Sequence, residues 1–98
     1  MEKRTPHCRL VVVRSLIRAG CYHATTVAMD SASVMGLGVN EMLVVVDALA
    51  AADFHKSMTT HSDHGVWQDV YRPMTQYGPL YVKLTVSDRV LIVSFKEA

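Results

Sequence analysis

The spacing of hydrophobic residues changes from a helical period to a strand period near residue 53. Between Leu10 and Ile17, apolar residues recur every three or four positions, which predicts an amphipathic helix that starts at Pro6 and ends at Gly20. From Phe54 onward, apolar and polar residues alternate, which is the period of a half-buried strand. The chain therefore predicts an α+β fold, with N-terminal helices packed on a C-terminal antiparallel β-sheet.

Two more helices are predicted before the sheet. Residues 22–25 form a short strand, after which a threonine at position 25 or 26 caps a helix that continues to about Met35. Glycines end that helix. Asn40 caps a third helix, in which apolar residues follow the helical period up to Ala50.

The second half predicts a meander of four antiparallel strands. Their predicted positions are 54–60, 66–75, 79–87 and 89–96. Turns at Gly78-Pro79 and Ser87-Asp88 separate the last three strands. We expect the helices to cover one face of the sheet and the other face to meet solvent. Because 98 residues without a linker suffice for one core, a single domain is expected over residues 1–98.

Alternation along the last two strands assigns their side chains to opposite faces of the sheet. In the third strand, Tyr81 and Lys83 point away from the apolar positions. The core positions predicted for the fourth strand are Leu91, Val93 and Phe95. Lys96 therefore falls on the polar face.

The first two strands add polar residues to the same face. In the second strand, Gln68 and Arg72 share one side. In the first strand, Lys56 shares a side with Phe54 and Met58. If these sides coincide in the sheet, a cluster forms at its solvent face. Its predicted members are Lys56, Gln68, Tyr81 and Lys96, with Arg72 and Lys83 nearby.

Net charge is +1, which does not mark a strongly basic nucleic-acid binder. Five of the ten basic side chains lie within residues 1–18, whereas residues 19–55 hold four acids and no Lys or Arg. Attraction for phosphate must therefore be local, coming from the first helix and from the later lysines and arginines.

The sequence also predicts the cellular compartment and the redox state of the two cysteines. No apolar run approaches the roughly 20 residues of a membrane helix, and the charged N-terminus lacks a following apolar region, so we expect a cytoplasmic protein without a membrane partner. Cys8 and Cys21 are too few for a disulfide framework and are expected to be reduced.

Histidines and aromatic residues near the second strand offer two further hypotheses. Zinc binding by His55, His61 and His64 with Asp63 is disfavoured because their spacing matches no metal motif, and no metal or cofactor is predicted. Trp67 and Tyr71 have the chemistry to stack on bases, but alternation puts them opposite Gln68, which favours the core.

Several segments together carry a resemblance to a known family. They are Met1–His7, Asp53–Thr60, Ser62–His64, Trp67–Pro73, Tyr81–Lys83 and Val93–Glu97. The chain resembles the motility quorum-sensing regulator (MqsR) toxins over nearly its whole length. This resemblance implies a RelE-like ribonuclease fold and four catalytic positions. They are Lys56 in Phe-x-Lys-Ser, Gln68 after Trp67, Tyr81 in Tyr-x-Lys and Lys96 in Ser-Phe-Lys.

The chemistry of metal-free RNA cleavage suits these side chains. A 2′-hydroxyl must lose a proton, the phosphate must be stabilised as it gains charge, and the 5′-oxygen must be protonated. Lys96 is assigned chiefly to the phosphate, Lys56 to base or phosphate clamp, and Gln68 to orientation. Tyr81 is acid, base or stacking surface. Because an ordinary lysine has a pKa of about 10.4, a lysine base needs burial or a neighbouring cation.

The resemblance further implies an mRNA endoribonuclease that is the toxin of a type II toxin-antitoxin pair. Such relatives cut mRNA at short GCU-like sequences, arrest translation, and favour persistence and biofilm formation. A separate zinc-bearing helix-turn-helix antitoxin, MqsA-like, holds them inactive and represses the operon, so operator DNA is reached only through it. The alternative hypothesis is a catalytically weak homologue, an interaction protein that modulates the DNA binding of its antitoxin.

Overall fold

The computed structural model describes all 98 residues as three α-helices and seven β-strands. The helices are α1 (Leu10–Arg18), α2 (Thr26–Val34) and α3 (Val39–Asp47), followed by a 3-10 turn at Ala51–Asp53. The strands are β1 (Glu2–Lys3), β2 (Tyr22–Ala24), β3 (Phe54–Thr59), β4 (Trp67–Tyr71), β5 (Met74–Thr75), β6 (Gly78–Val86) and β7 (Val90–Glu97). The α+β prediction is confirmed.

The sheet is built around the predicted meander. Its strand order is β1-β3-β4-β6-β7-β2, with β5 paired to β6, and neighbours in the meander are antiparallel. Two features were not predicted: β1 lies on the edge of β3, and β2 pairs with β7 in parallel. The predicted strand 66–75 is broken after Tyr71, where the Arg72 N–H donates to the Asp53 carbonyl at 2.8 Å and Pro73 has no N–H.

All three helices lie on one face of the sheet. Val13 of α1, Ala28 of α2 and Met42 of α3 belong to one cluster of 16 buried residues with the inward side chains of the strands, Leu80 and Val82 among them. The opposite face, called here the outer face, carries no helix, so its residues are covered only by neighbouring side chains. No single helix is long and apolar enough to cross a membrane; α2 and α3 reach that length and composition only together, bent by 97°.

The first helix begins later than predicted, at Leu10 rather than Pro6. The reason lies in the sheet: the backbone N–H groups of His7 and Cys8 each donate to the Asp69 carboxylate at 2.9 Å. These donors are therefore used outside a helix, and Arg9 is still extended, with φ −72° and ψ 142°. The segment before α1 is held along the sheet instead of continuing the helix.

Caps explain the starts of the other two helices. Thr25 Oγ1 accepts the Ala28 N–H at 3.1 Å, which confirms the predicted cap of α2. The prediction of Asn40 as the cap of α3 is wrong, because the cap is Gly38, two residues earlier, and the helix begins at Val39. There Glu41 Oε1 accepts the Gly38 N–H at 2.7 Å, so the first turn is closed by a glutamate.

A register shift in β7 reverses the predicted faces of its first half. Lys83 lies opposite Ser94, but the next residue, Leu84, lies opposite Ile92, so Val93 is extra. Val90 and Ile92 are consequently buried, whereas the predicted core residues Leu91 and Val93 are only half-buried. Phe95 is buried as predicted, and Lys96 keeps its place on the outer face.

A second register shift separates Phe54 from Lys56. Phe54 lies opposite Tyr71 and contacts its ring edge-on at 5.5 Å, whereas Lys56 lies opposite Val70. Since His55 is the extra residue, Phe54 turns toward the core and Lys56 toward the outer face. The prediction that these two residues share a face is wrong.

Candidate active site

Strand register brings lysines from three strands to the outer face. Lys56 of β3 lies opposite Val70 of β4, Val70 lies opposite Lys83 of β6, and Lys83 lies opposite Ser94 of β7. Two residues from Lys83 along β6, Tyr81 lies opposite Lys96. Because residues two apart on a strand share a face, all these side chains project to the same side.

Two ammonium groups lie close to the Tyr81 ring. Lys96 Nζ is 5.2 Å from the ring centroid, and Lys83 Nζ is 5.9 Å from it. Both distances are within the range of a cation–π contact, which draws positive charge to the ring face. A phenol and two cations are thus available together for acid–base work and for stabilising a developing negative charge.

Lys83 is half-buried beside an apolar neighbour. Val70, directly opposite, is 0% exposed although no helix covers this face, so the stems of adjacent side chains must shield it. Burial, and then the charges of Lys96 and Lys56, lower the pKa of the Lys83 amine.

Lys56 is held by a residue that sequence reasoning missed. Glu2 of β1 places its Oε1 3.0 Å from Lys56 Nζ, and this hydrogen bond and charge lower the pKa of the Glu2 carboxyl. The pairing of Glu2 with Met58 places the N-terminal strand beside β3, so that the Glu2 carboxylate reaches Lys56. A two-residue strand is too short to show a period, so the only sequence signal for a partner of Lys56 was the negative charge of Glu2.

The side chains of the other two predicted residues, Gln68 and Arg72, have no hydrogen-bond or ion-pair partner. Gln68 is half-buried opposite Met58, on the outer face, and its side chain makes no hydrogen bond. Arg72 is exposed just beyond the end of β4, and its guanidinium forms no ion pair. Side-chain contacts thus join Tyr81 to Lys83 and Lys96, whereas Gln68 is placed on the outer face by strand register alone.

Trp67 does not join the core, contrary to prediction, whereas Tyr71 does. The Trp67 indole is stacked on the His7 ring, with centroids 5.6 Å apart and an interplanar angle of 18°. Lys3 Nζ lies 4.1 Å from the indole centroid and 3.1 Å from His7 Nδ1. Both His7 and Lys3 belong to the N-terminal segment, which is anchored on the buried Asp69 carboxylate and so covers the Trp67 indole.

The histidine-rich loop does not assemble a metal site. His61 and His64 are exposed, and the Asp63 Oδ1 that would join them accepts the Gly65 N–H at 2.8 Å. No group of three or more His, Cys, Asp or Glu side chains in the chain has the geometry to hold a metal ion.

Two open cavities, each of about 280 Å³, lie on the surface. One touches the cluster, because Lys96 and Glu97 form one wall, and Val34 of α2 and the following residue Met35 form another. The second lies between α3 and β5, and none of the predicted site residues lines it. The cavity at Lys96 is therefore the one that extends the lysine cluster.

Comparison with known proteins bears on the whole chain. A protein-family model described as "Motility quorum-sensing regulator, toxin of MqsA" matches residues 5–97. The chain is 53% identical over 97 residues to a protein named mRNA interferase toxin MqsR from Escherichia coli (strain K12), and the match covers 99% of each chain. The chain belongs to the motility quorum-sensing regulator toxin family.

Proposed function

We propose that this protein is a metal-independent mRNA endoribonuclease, the toxin of a type II toxin-antitoxin pair. The observation that carries the proposal is the convergence of Lys56, Tyr81, Lys83 and Lys96 on the outer face of the sheet. A face without a covering layer is open to a long, flexible polyanion, and lysines are its natural ligands. The activity named for the Escherichia coli relative is of the same kind.

The roles follow from what each side chain can do. Lys96 is exposed and over Tyr81, so it is suited to hold the scissile phosphate and to stabilise its transition-state charge. Lys56 serves as clamp or base, and Gln68 orients the RNA through its amide. Tyr81, polarised by its two ammonium neighbours, donates a proton to the leaving 5′-oxygen or stacks on a base. Arg72 and Lys83 add RNA contacts.

The proposal also covers the antitoxin partner, the cleavage sequence and the cellular compartment. The family description names MqsA, and we propose an MqsA-like antitoxin that bears zinc and a helix-turn-helix and carries the toxin to operator DNA. Cleavage falls at short GCU-like sequences in mRNA, in the cytoplasm, and arrests translation. The activity resides in residues 1–98 acting as one domain.

Incubation of the pure protein with a naked transcript in EDTA tests this function. We expect discrete cuts that leave a 2′,3′-cyclic phosphate and a 5′-hydroxyl, because attack by the 2′-hydroxyl needs no hydrolytic water. A transcript with a 2′-deoxynucleotide at each mapped cut is the control and should stay intact. Activity lost in EDTA and restored by a divalent ion would refute metal independence. A transcript left intact in both conditions would leave ribosome-dependent cleavage or the interaction-protein hypothesis, and the same incubation with ribosomes added separates the two.

A further inference from the structure

We infer that Lys83 is a further catalytic residue: its amine takes the proton from the 2′-hydroxyl of the RNA while Lys56 and Lys96 act as fixed cations. The inference rests on the proposed ribonuclease function and refines its chemistry. It assigns the general base to a side chain that the sequence pattern marks only as an RNA contact.

The position of Lys83 is central in the cluster. It lies in the middle of β6, with Val70 directly opposite on β4 and Ser94 directly opposite on β7. Lys56 lies on the far side of β4, so its backbone is about 10 Å from that of Lys83, which is two strand spacings. Lys96 lies two residues from Ser94 on the same face of β7, and its ammonium is over the Tyr81 ring. An RNA backbone crossing this face meets Lys83 between the other two lysines.

The surroundings of Lys83 favour an amine without a proton. Its half-buried stem runs beside Val70, which is 0% exposed, and burial is the first cause of its lowered pKa. Lys96 and Lys56 add like-charge repulsion. The charged and titratable groups that face it are Tyr81 on its own strand, Lys96 from β7, and Lys56 from β3 with Glu2 of β1 attached.

The other lysines are less suited to the role of base. The Lys56 ammonium is hydrogen-bonded to the Glu2 carboxylate at 3.0 Å, and the attraction between their opposite charges would be lost if the amine became neutral. Lys96 is exposed, so water supports its charge. A base must be proton-free near the working pH, and Lys83 alone combines a dry neighbour with two nearby cations.

The reaction balances with the groups present. The lone pair of Lys83 Nζ takes the 2′-hydroxyl proton, and the 2′-oxygen attacks phosphorus. The bond from phosphorus to the 5′-oxygen breaks, and that oxygen receives a proton from Tyr81. The products are a 2′,3′-cyclic phosphate and a 5′-hydroxyl, and proton exchange with water returns Lys83 and Tyr81 to their starting forms.

Replacement by arginine separates a base from a charged contact. Lys83→Arg keeps the positive charge but removes the base, since guanidinium does not lose its proton in proteins. We expect single-turnover cleavage to fall on the order of 100-fold or more. Affinity for an RNA with a 2′-deoxynucleotide at the cut should change only a few-fold. Lys3→Arg, the same exchange on the Trp67 side of the sheet, should leave both measurements unchanged.

The pH profile gives a second readout that a structural role would not move. The parental rate should rise with pH as Lys83 loses its proton and then level off, and Lys83→Arg should lack this limb. Val70→Thr, close in shape, brings a hydroxyl beside Lys83, favours its charged form, and should move the limb to higher pH. If Lys83→Arg fails to fold, the pH profile of Val70→Thr still tests the inference.

The outcomes distinguish the two proposals. A parental protein that leaves every transcript intact, with and without ribosomes, would overturn the ribonuclease function and this inference together. Parental cleavage that Lys83→Arg matches in rate and in pH profile would overturn the inference alone. So would a Val70→Thr limb that stays at the parental pH when that variant is folded and active.

Discussion

Replacing Asp69 by Asn should destabilise the protein through the N-terminal segment. Asp69 is 3% exposed, and its two carboxylate oxygens accept the N–H groups of His7 and Cys8, at 2.9 Å each. An asparagine offers one carbonyl oxygen and one NH₂ group, so one of the two backbone donors would face another donor. The amide has nearly the same shape, so packing should change little.

The expected loss follows from those two bonds. A hydrogen bond to a charged group contributes about 1.5–3 kcal/mol, and a buried donor left unsatisfied costs about 1–3 kcal/mol. Removing a buried charge recovers part of this loss, so we expect a net destabilisation of about 2 kcal/mol. With a urea m-value of about 2 kcal/mol/M, the unfolding midpoint should fall by about 1 M.

Urea unfolding at neutral pH measures this midpoint, and amide hydrogen exchange at His7 and Cys8 shows whether the segment is the part released. Asp30→Asn, at an exposed position on α2, removes the same charge and should shift the midpoint by less than about 0.3 M. A midpoint for Asp69→Asn equal to that of the Asp30 control, with unchanged exchange, would show that the carboxylate does not anchor the segment.

Three further predictions concern charge. Glu2→Gln removes the carboxylate that competes with phosphate for Lys56, so affinity for a non-cleavable RNA should rise several-fold, and an unchanged or weaker affinity would show that Lys56 does not contact RNA. The logarithm of RNA affinity should fall linearly with the logarithm of salt concentration, with a slope of about 3 or less. Each of four contacts contributes about 0.7 to this slope: Lys56, Arg72, Lys83 and Lys96. A much steeper slope would implicate the N-terminal arginines, of which Arg14 donates to the Leu49 carbonyl and Arg18 pairs with Asp47 in the structure. Burial and the Asp69 charge raise the pKa of Cys8, so its alkylation at pH 7.5 should be slower than that of a free thiol, and equal rates would contradict this.

Local periodicity accounts for most of the fold. Alternation located the four strands of the meander and allowed Lys56, Gln68, Tyr81 and Lys96 to share one face, which the strand register of the structure gives them. It failed for Phe54 and for Leu91 with Val93, because a bulge adds one residue and turns everything beyond it to the other face. Both bulges flank the lysine cluster, and their extra residues, His55 and Val93, have no distinguishing chemistry in the sequence.

Long-range contacts account for what the pattern missed. The start of α1 depends on a carboxylate about 60 residues away, because Asp69 accepts the His7 and Cys8 N–H groups and holds this segment along the sheet. The Glu2–Lys56 ion pair and the stack of His7 on Trp67 depend on the same segment. Edge strands of two or three residues, such as β1 and β2, are set by the partner they join and not by their own period.

The most direct test of the central claim is single-turnover cleavage by three variants of the outer face, Lys56→Met, Tyr81→Phe and Lys96→Met. Each should cut RNA on the order of 100-fold or more slowly, which is the range for lost acid–base or charge-stabilising groups. Thermal unfolding should stay close to that of the parental protein, because none of the three belongs to the buried cluster. Antitoxin binding should persist, and growth arrest should be lost. Three folded variants that cleave at the parental rate would contradict the proposed site, and variants that still arrest growth without cutting RNA would contradict the proposed function.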